Sequence, residues 1–313
     1  MKMEKPAEVS LLCMKNISVK FGSITALDGV DFSVGENEVV GLLGSNGVGK
    51  STLIKTLIGF HKPSSGEVYF EGEKIYFDST WYARSKGIET VFQDFSLAEN
   101  LSIYQNFFIG RELLLVNKFF KFQNRKKMHH LAEKYLREIG LTRNIKLDEK
   151  VSLLSGGERQ LLSIGRACYF VEKLLILDEP FSALSESSVQ KVLRAIENVK
   201  KRGISIIFVT HHAPEVFEIA DRFVILENGR NYANLKKEDT DIKELEKLLI
   251  SSRLTVVKEM AAGIAHQIRN PLGIMKVSAD VLKRKVSSYN KHKDEVEKII
   301  NVLSNEINTL NHI

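Results

Sequence analysis

Glu38-Val39-Val40-Gly41-Leu42-Leu43-Gly44-Ser45-Asn46-Gly47-Val48-Gly49-Lys50-Ser51-Thr52-Leu53 decides the fold. Residues 38 to 43 run nearly unbroken through β-branched and leucine side chains, which predicts a buried strand. A glycine-rich loop follows, and Ser51-Thr52-Leu53-Ile54-Lys55 opens a helix. Strand, loop and helix in that order are the setting a phosphate-binding P-loop requires. Gly44, Gly47 and Gly49 let backbone N–H groups turn toward phosphates without Cβ clashes. The helix N-terminus adds partial positive charge. Ser45, Asn46, Val48 and Thr52 complete the cradle. Lys50 is expected to reach the β- and γ-phosphates, and the Ser51 hydroxyl to bind Mg2+. Alone, the loop means only that a nucleotide phosphate binds.

Four further segments add chemistry. Leu174 to Leu177 read as a second buried strand, ending in Asp178-Glu179-Pro180. Of these adjacent carboxylates, Asp178 is assigned to the metal shell and Glu179 to the attacking water, as base or positioner. Ile206-Ile207-Phe208-Val209 is a third apolar run, leading into Thr210-His211-His212. His211 is placed to bond a γ-phosphate, with His212 as its competitor. Gln93 follows Ile88-Glu89-Thr90-Val91-Phe92, which alternates like a strand edge, and its amide suits the Mg2+ shell or the water. Leu154-Ser155-Gly156-Gly157-Glu158-Arg159-Gln160 opens a helical pattern running to Tyr169, so Ser155, Gly156 and Gly157 form a second anion site. Phe21 is either an adenine-stacking aromatic or a core phenylalanine.

In this order the five motifs resemble the ATPase subunit of an ABC transporter. The resemblance implies an α/β P-loop NTPase, with a RecA-like core and a helical subdomain, that hydrolyses ATP with Mg2+. It implies that Ser155-Gly156-Gly157 faces the γ-phosphate held by the opposite subunit. One P-loop and one such motif then require a homodimer or a second ATPase subunit. Gly87 to Asp94, Glu99 to Ile103, Ser182-Ala183-Leu184-Ser185 and Glu215 to Arg222 are similar to the ATPases of bacterial ribose-type monosaccharide importers. A sugar importer with membrane-embedded permease subunits is what that similarity implies.

From Ile242 onward helical periodicity takes over. Val257, Met260, Ala261, Ile264 and Ile268 mark one apolar stripe. After a polar break from Ser287 to His292, Val296, Ile299, Leu303, Ile307 and Leu310 mark another. Two such helices form a hairpin, and two hairpins pair as a four-helix bundle. The expected division is an ATPase domain at 8–241, a helical linker at 242–256 and the hairpin domain at 257–313. Glu259-Met260-Ala261-Ala262-Gly263-Ile264-Ala265-His266-Gln267-Ile268-Arg269-Asn270-Pro271-Leu272 resembles the phosphoacceptor box of sensor histidine kinases. The resemblance makes His266 the phosphoacceptor and Asn270 a water-positioning residue for dephosphorylation. It brings in a response regulator and a kinase ATP-binding domain as partners. Gln267 replaces the usual acidic neighbour and cannot take a proton. A second helix from Lys293 to Ile313 spans about 30 Å and ends level with His266. Further chain or another molecule is therefore expected to complete the bundle.

The 313 residues are 43% apolar and 27% charged, an ordinary globular balance with room for one large and one smaller domain. Cys13 and Cys168 lie far apart without metal spacing, which suits a reducing cytosol. No apolar run reaches the ~18–20 residues needed to cross a bilayer. The expected location is cytoplasmic, at the inner face of the plasma membrane through a permease. The basic run Asn124-Arg125-Lys126-Lys127 reads as a solvated helix face, and nucleic acid is not expected as a partner. The alternative function is a sensor histidine kinase that uses the ATPase-like half as its input domain.

Overall fold

The computed structural model describes residues 10–92, 97–116, 121–141, 146–286 and 300–302. The chain divides into two compact units, Met1–Ser252 and Arg253–Ile313. The first opens with the antiparallel pair β1 (Ser10–Phe21) and β2 (Ile24–Gly35). The glycine loop lies between β3 (Val39–Leu43) and α1 (Lys50–Leu57). β4 (Ser65–Phe70) and β5 (Glu73–Ile75) extend the first pair into an antiparallel sheet, ordered β2-β1-β4-β5. α2 (Thr80–Ser85) then leads into β6 (Ile88–Val91).

A mainly helical stretch follows. It comprises α3 (Ile103–Phe108), the hairpin of β7 (Leu114–Val116) and β8 (Lys121–Gln123), α4 (Arg125–Glu138) and α5 (Gly156–Phe170). The chain returns through β9 (Leu174–Asp178), α6 (Glu186–Lys201), β10 (Ser205–Thr210) and α7 (Ala213–Phe217). β11 (Arg222–Glu227) and β12 (Arg230–Lys236) precede the long helix α8 (Ile242–Val286).

The second sheet runs β12-β11-β3-β10-β9-β6 and is parallel except for β12. Every residue of β3, β9 and β10 is buried, as the unbroken apolar runs require of strands covered on both faces. Alternate residues serve different cores. Leu175, Leu177, Ile206 and Phe208 face one cluster with α4, α5 and α6, while Leu174, Ile176, Ile207 and Val209 join the other with α1 and the antiparallel sheet. β10 lies between β3 and β9, with Thr210 beside Leu43 and Val209 beside Asp178. The P-loop, the two acids and His211 therefore converge at the carboxyl ends of three adjacent strands, where open α/β sheets place their ligands.

Within the first unit, α8 inserts Leu245 and Leu249 into the core shared with α4 to α6. The stretch expected as a linker thus starts as a packed part of this unit. In the second unit α8 continues through Pro271, whose missing N–H leaves the Gln267 carbonyl without its usual helical donor. Leu272 and Ala279 are buried, while Ile274, Val277 and Val281 are exposed. Residues 300–302 are helical. The rest of the second helix, and the bundle it would build, lie outside the described residues. Among the described residues no helix is long and apolar enough to cross a membrane.

Candidate functional site

The P-loop winds tightly because its glycines occupy backbone conformations closed to other residues. Gly49 has φ 108°, and a Cβ there would come within 2.7 Å of Leu27 Cδ2 and 2.8 Å of the Ala26 carbonyl oxygen. Gly49 caps α1 from this conformation. Lys50 is buried, and its Nζ donates to the carbonyls of Gly44 at 2.7 Å and Ser45 at 2.9 Å. The ammonium therefore lies across the loop that would hold a phosphate chain.

The Ser51 hydroxyl donates to Asp178 Oδ2 at 3.2 Å, joining the start of α1 to the end of β9. Asp178 is 5% exposed. Burial raises its carboxyl above the ordinary aspartate range, and the Ser51 hydrogen bond partly opposes this. The neighbouring Glu179 raises it further, while Lys50 and Lys55 pull it down. Glu179 turns out of the strand with φ 49°, a left-handed conformation costly for a residue with a side chain. Its N–H still donates to the Val209 carbonyl at 2.9 Å, so the turn is fastened to β10.

That turn delivers the Glu179 carboxylate to His211, with Nδ1 and Oε1 2.7 Å apart. The Thr210 hydroxyl lies 3.4 Å from Glu179 Oε2 and 3.2 Å from Glu215 Oε2. Burial raises the Glu215 carboxyl, against the Thr210 hydrogen bond. The His212 ring lies beside His211, tilted at 45° with centroids 4.0 Å apart, but is itself exposed. Of the two histidines, His211 is the one joined to the acid.

Ser155 and Glu158 cap α5 reciprocally. Glu158 N donates to Ser155 Oγ at 3.3 Å, and Ser155 N donates to Glu158 Oε2 at 2.8 Å. Ser155 and Gly156 are exposed. A Cβ on Gly157 would meet the Ala183 carbonyl oxygen at 2.9 Å, so close approach demands glycine there.

Gln160 joins this helix to the acids, a role sequence reading did not assign. It is 1% exposed. Its amide donates to the carbonyls of Glu179, at 3.2 Å, and Pro180, and accepts from Ala183 N at 3.1 Å. The available signal was a polar side chain on the same helical face as buried Ile164 and Ala167. Glu89 was also missed: it is a buried residue of β6, 2.6 Å from Arg111 Nη2.

Phe21 is 46% exposed at the end of β1, edge-on to His61 with centroids 5.0 Å apart, and it does not belong to the core. Gln93 lies outside the described residues. The strand before it ends at Val91, paired with Leu177 next to Asp178. His266 and Asn270 lie in α8, and Asn270 is exposed; the side chain of His266 is outside the described residues.

Chemically, the convergence offers a cationic amine, backbone donors, a hydroxyl with a carboxylate, and a second carboxylate paired with an imidazole. The Ser51–Asp178 pair fits Mg2+, which takes hard oxygen ligands and binds through one or two carboxylates plus substrate phosphates.

Comparison with known proteins bears on the family and the fold. Residues 27–182 match the ABC transporter family, and residues 256–313 match the His Kinase A (phospho-acceptor) domain. The chain is 42% identical over 244 residues to the xylose/arabinose import ATP-binding protein of Sulfolobus acidocaldarius, covering 78% of this chain and 95% of that protein. It is 36% identical to the ribose import ATP-binding protein of Bacillus licheniformis, covering 77% of this chain and 48% of that longer protein. The ADP conformation of MJ1267, an ATP-binding cassette of an ABC transporter, superposes with a TM-score of 0.62 at 26% identity. That match covers 80% of this chain and 98% of the cassette. The MJ0796 cassette dimer bound to ADP and Pi shares the fold, with a TM-score of 0.63 at 24% identity over 72% of this chain and 98% of that one.

Proposed function

We propose that this chain, which belongs to the ABC transporter family of ATP-binding subunits, hydrolyses ATP to drive import of a monosaccharide and carries a histidine phosphoacceptor module. The similarity to a sugar-import subunit along nearly that subunit's whole length carries the substrate class. In this reading Phe21 stacks on adenine, and Gly44 to Thr52 wrap the phosphates, with Lys50 moving from the loop carbonyls onto the β- and γ-phosphates. Ser51, Asp178 and Gln93 hold Mg2+, which when bound neutralises charge on the phosphate oxygens. Glu179 orients the attacking water and accepts its proton. With Nδ1 of His211 on Glu179, Nε2 is the nitrogen left to face the γ-phosphate.

Ser155, Gly156 and Gly157 supply the second anion site to the nucleotide of a partner ATPase, in a homodimer or beside a second subunit. Permease subunits hold the assembly at the inner face of the plasma membrane. His266 receives phosphate from a separate kinase ATP-binding domain and passes it to a response regulator, with Asn270 positioning water for dephosphorylation.

Deleting the gene from its source organism should abolish ATP-dependent uptake of a labelled pentose or hexose. Wild type should restore that uptake and Lys50→Ala should not. Unchanged uptake of every monosaccharide tested would contradict the importer assignment.

A further inference from the structure

We infer that Arg159 is the positioning residue of the second anion site, fixing the chain from which Ser155 is offered to the nucleotide of a partner ATPase. The inference rests on the shared-site reading above and adds to it a side chain that sequence reading left without a role. Arg159 lies near the start of α5, just past Ser155. Its guanidinium turns back over the chain that leads into the helix. Nε donates to the Leu154 carbonyl at 3.1 Å, Nη2 to the Ser152 carbonyl at 3.1 Å, and Nη1 to Glu99 Oε1 at 3.0 Å.

Those two carbonyls belong to the residues that set the approach to Ser155. A 3₁₀ turn, Val151–Leu153, ends there, and Leu154 continues in an extended conformation. The carbonyls of a short turn have no helical donors and must find partners elsewhere. One planar fork on both of them fixes the peptide planes immediately before Ser155. Ser155 is thus held from two sides. Glu158 closes the cap from within α5, and Arg159 fastens the chain in front of it.

The same fork ties the turn to a second segment. Ser152 N donates to the Glu99 carbonyl at 3.2 Å and Val151 N to the Leu101 carbonyl at 3.1 Å, so residues 99–101 run beside the turn. The Glu99 side chain is 64% exposed, and its ion pair by itself contributes little. Its effect is to orient the guanidinium across the two carbonyls. A cation near the start of a helix opposes the macrodipole, so charge alone does not favour arginine here. Three donors in a rigid fork do, and lysine cannot supply them.

The test is steady-state hydrolysis by the purified full chain carrying Arg159→Lys, which keeps the charge and gives up the fork. Its kcat should fall by at least about tenfold, the loss expected from two hydrogen bonds. The affinity of the chain's own P-loop for ATP should stay at the wild-type value, which also shows that the variant is folded. Mixing it with Lys50→Ala should raise the rate above that of either chain, because one site then combines Lys50 of one chain with Arg159 of the other. Mixing it with Ser155→Arg should give no rise. A wild-type kcat, weakened ATP binding by the single chain, or recovery with Ser155→Arg would overturn the inference. If Lys50→Ala and Ser155→Arg do not rescue each other, the shared-site reading fails and this inference fails with it. If they do, a departure of Arg159→Lys from the Ser155→Arg pattern counts against Arg159 alone.

Discussion

His211 Nδ1 lies 2.7 Å from Glu179 Oε1, so the histidine at the end of one strand is joined to the acid at the end of its neighbour. The contact exists because Glu179 leaves the strand in a left-handed conformation instead of extending it. Were the two residues independent, removing both would multiply their separate effects. Joined in this way, they should act as a unit. His211→Ala should lower turnover by about 10²-fold or more. The double variant His211→Ala/Glu179→Gln should fall little below the Glu179 single variant. Multiplicative losses in steady-state rates would show that the pair does not work together.

Burial raises Asp178 above its unfolded pKa, so protonation favours the folded chain. That contribution is fully present below the unfolded pKa and is lost as pH rises through the folded pKa. Wherever Asp178 is ionised, the folded chain carries a charge that burial disfavours. Asp178→Asn should melt higher than wild type at neutral pH without nucleotide or Mg2+, by about 0.5–2 kcal/mol. The gain should shrink as pH falls toward the carboxylate range, while Mg2+-dependent hydrolysis is lost. A lower melting point at neutral pH would mean that Lys50 and Lys55 outweigh burial.

Gln160→Leu keeps the approximate volume but removes three hydrogen bonds from the turn after Glu179. Leaving the buried Pro180 carbonyl without its partner should cost about 1–3 kcal/mol in denaturant unfolding. Turnover should fall as well, although Gln160 touches no substrate, because the turn carrying the Glu179 carboxylate loses its fastening. Unchanged stability and rate would mean that the turn holds itself.

A site shared between subunits predicts complementation. Lys50→Ala disables a chain's own P-loop, and Ser155→Arg disables the anion site it offers its partner. Each variant alone should be inactive. A mixed dimer contains one site with intact Lys50 from one chain and intact Ser155 from the other, so mixing should restore part of the rate. No recovery on mixing, with dimers present in sedimentation, would contradict the shared site.

Most of this site was legible because its chemistry follows strand ends, and three buried strands announce themselves by unbroken apolar runs. The runs expected at 38–43, 174–177 and 206–209 are β3, β9 and β10. The helix expected from Glu158 to Tyr169 spans Gly156–Phe170. What sequence withheld was relation across the sheet. Strand order, which sets β10 between the P-loop strand and the acid strand, depends on crossovers that no local pattern encodes. The Glu179–His211 contact, the buried Glu89–Arg111 pair and the Gln160 fastening each link residues at least nineteen positions apart. The first turn of α4, expected as a solvated face, is exposed at Arg125, Lys126 and Lys127.

For the second unit, incubating the chain with γ-labelled ATP should leave it unlabelled, because Gln267 cannot take a proton and the P-loop site commits its γ-phosphate to water. Adding a separate histidine-kinase ATP-binding domain should give acid-labile label that His266→Ala removes. Label without that addition, lost in Lys50→Ala, would make the ATPase site the phosphate donor.

The most direct measurement is ATP binding and hydrolysis by the purified full chain in Mg2+, comparing wild type with Glu179→Gln. Wild type should turn over ATP. Glu179→Gln should bind ATP with similar affinity, accumulate as an ATP-bound dimer and lose hydrolysis by about 10²–10⁴-fold, the range of a general base. Full turnover by Glu179→Gln would contradict the assignment of the β9 acids and the mechanism built on them.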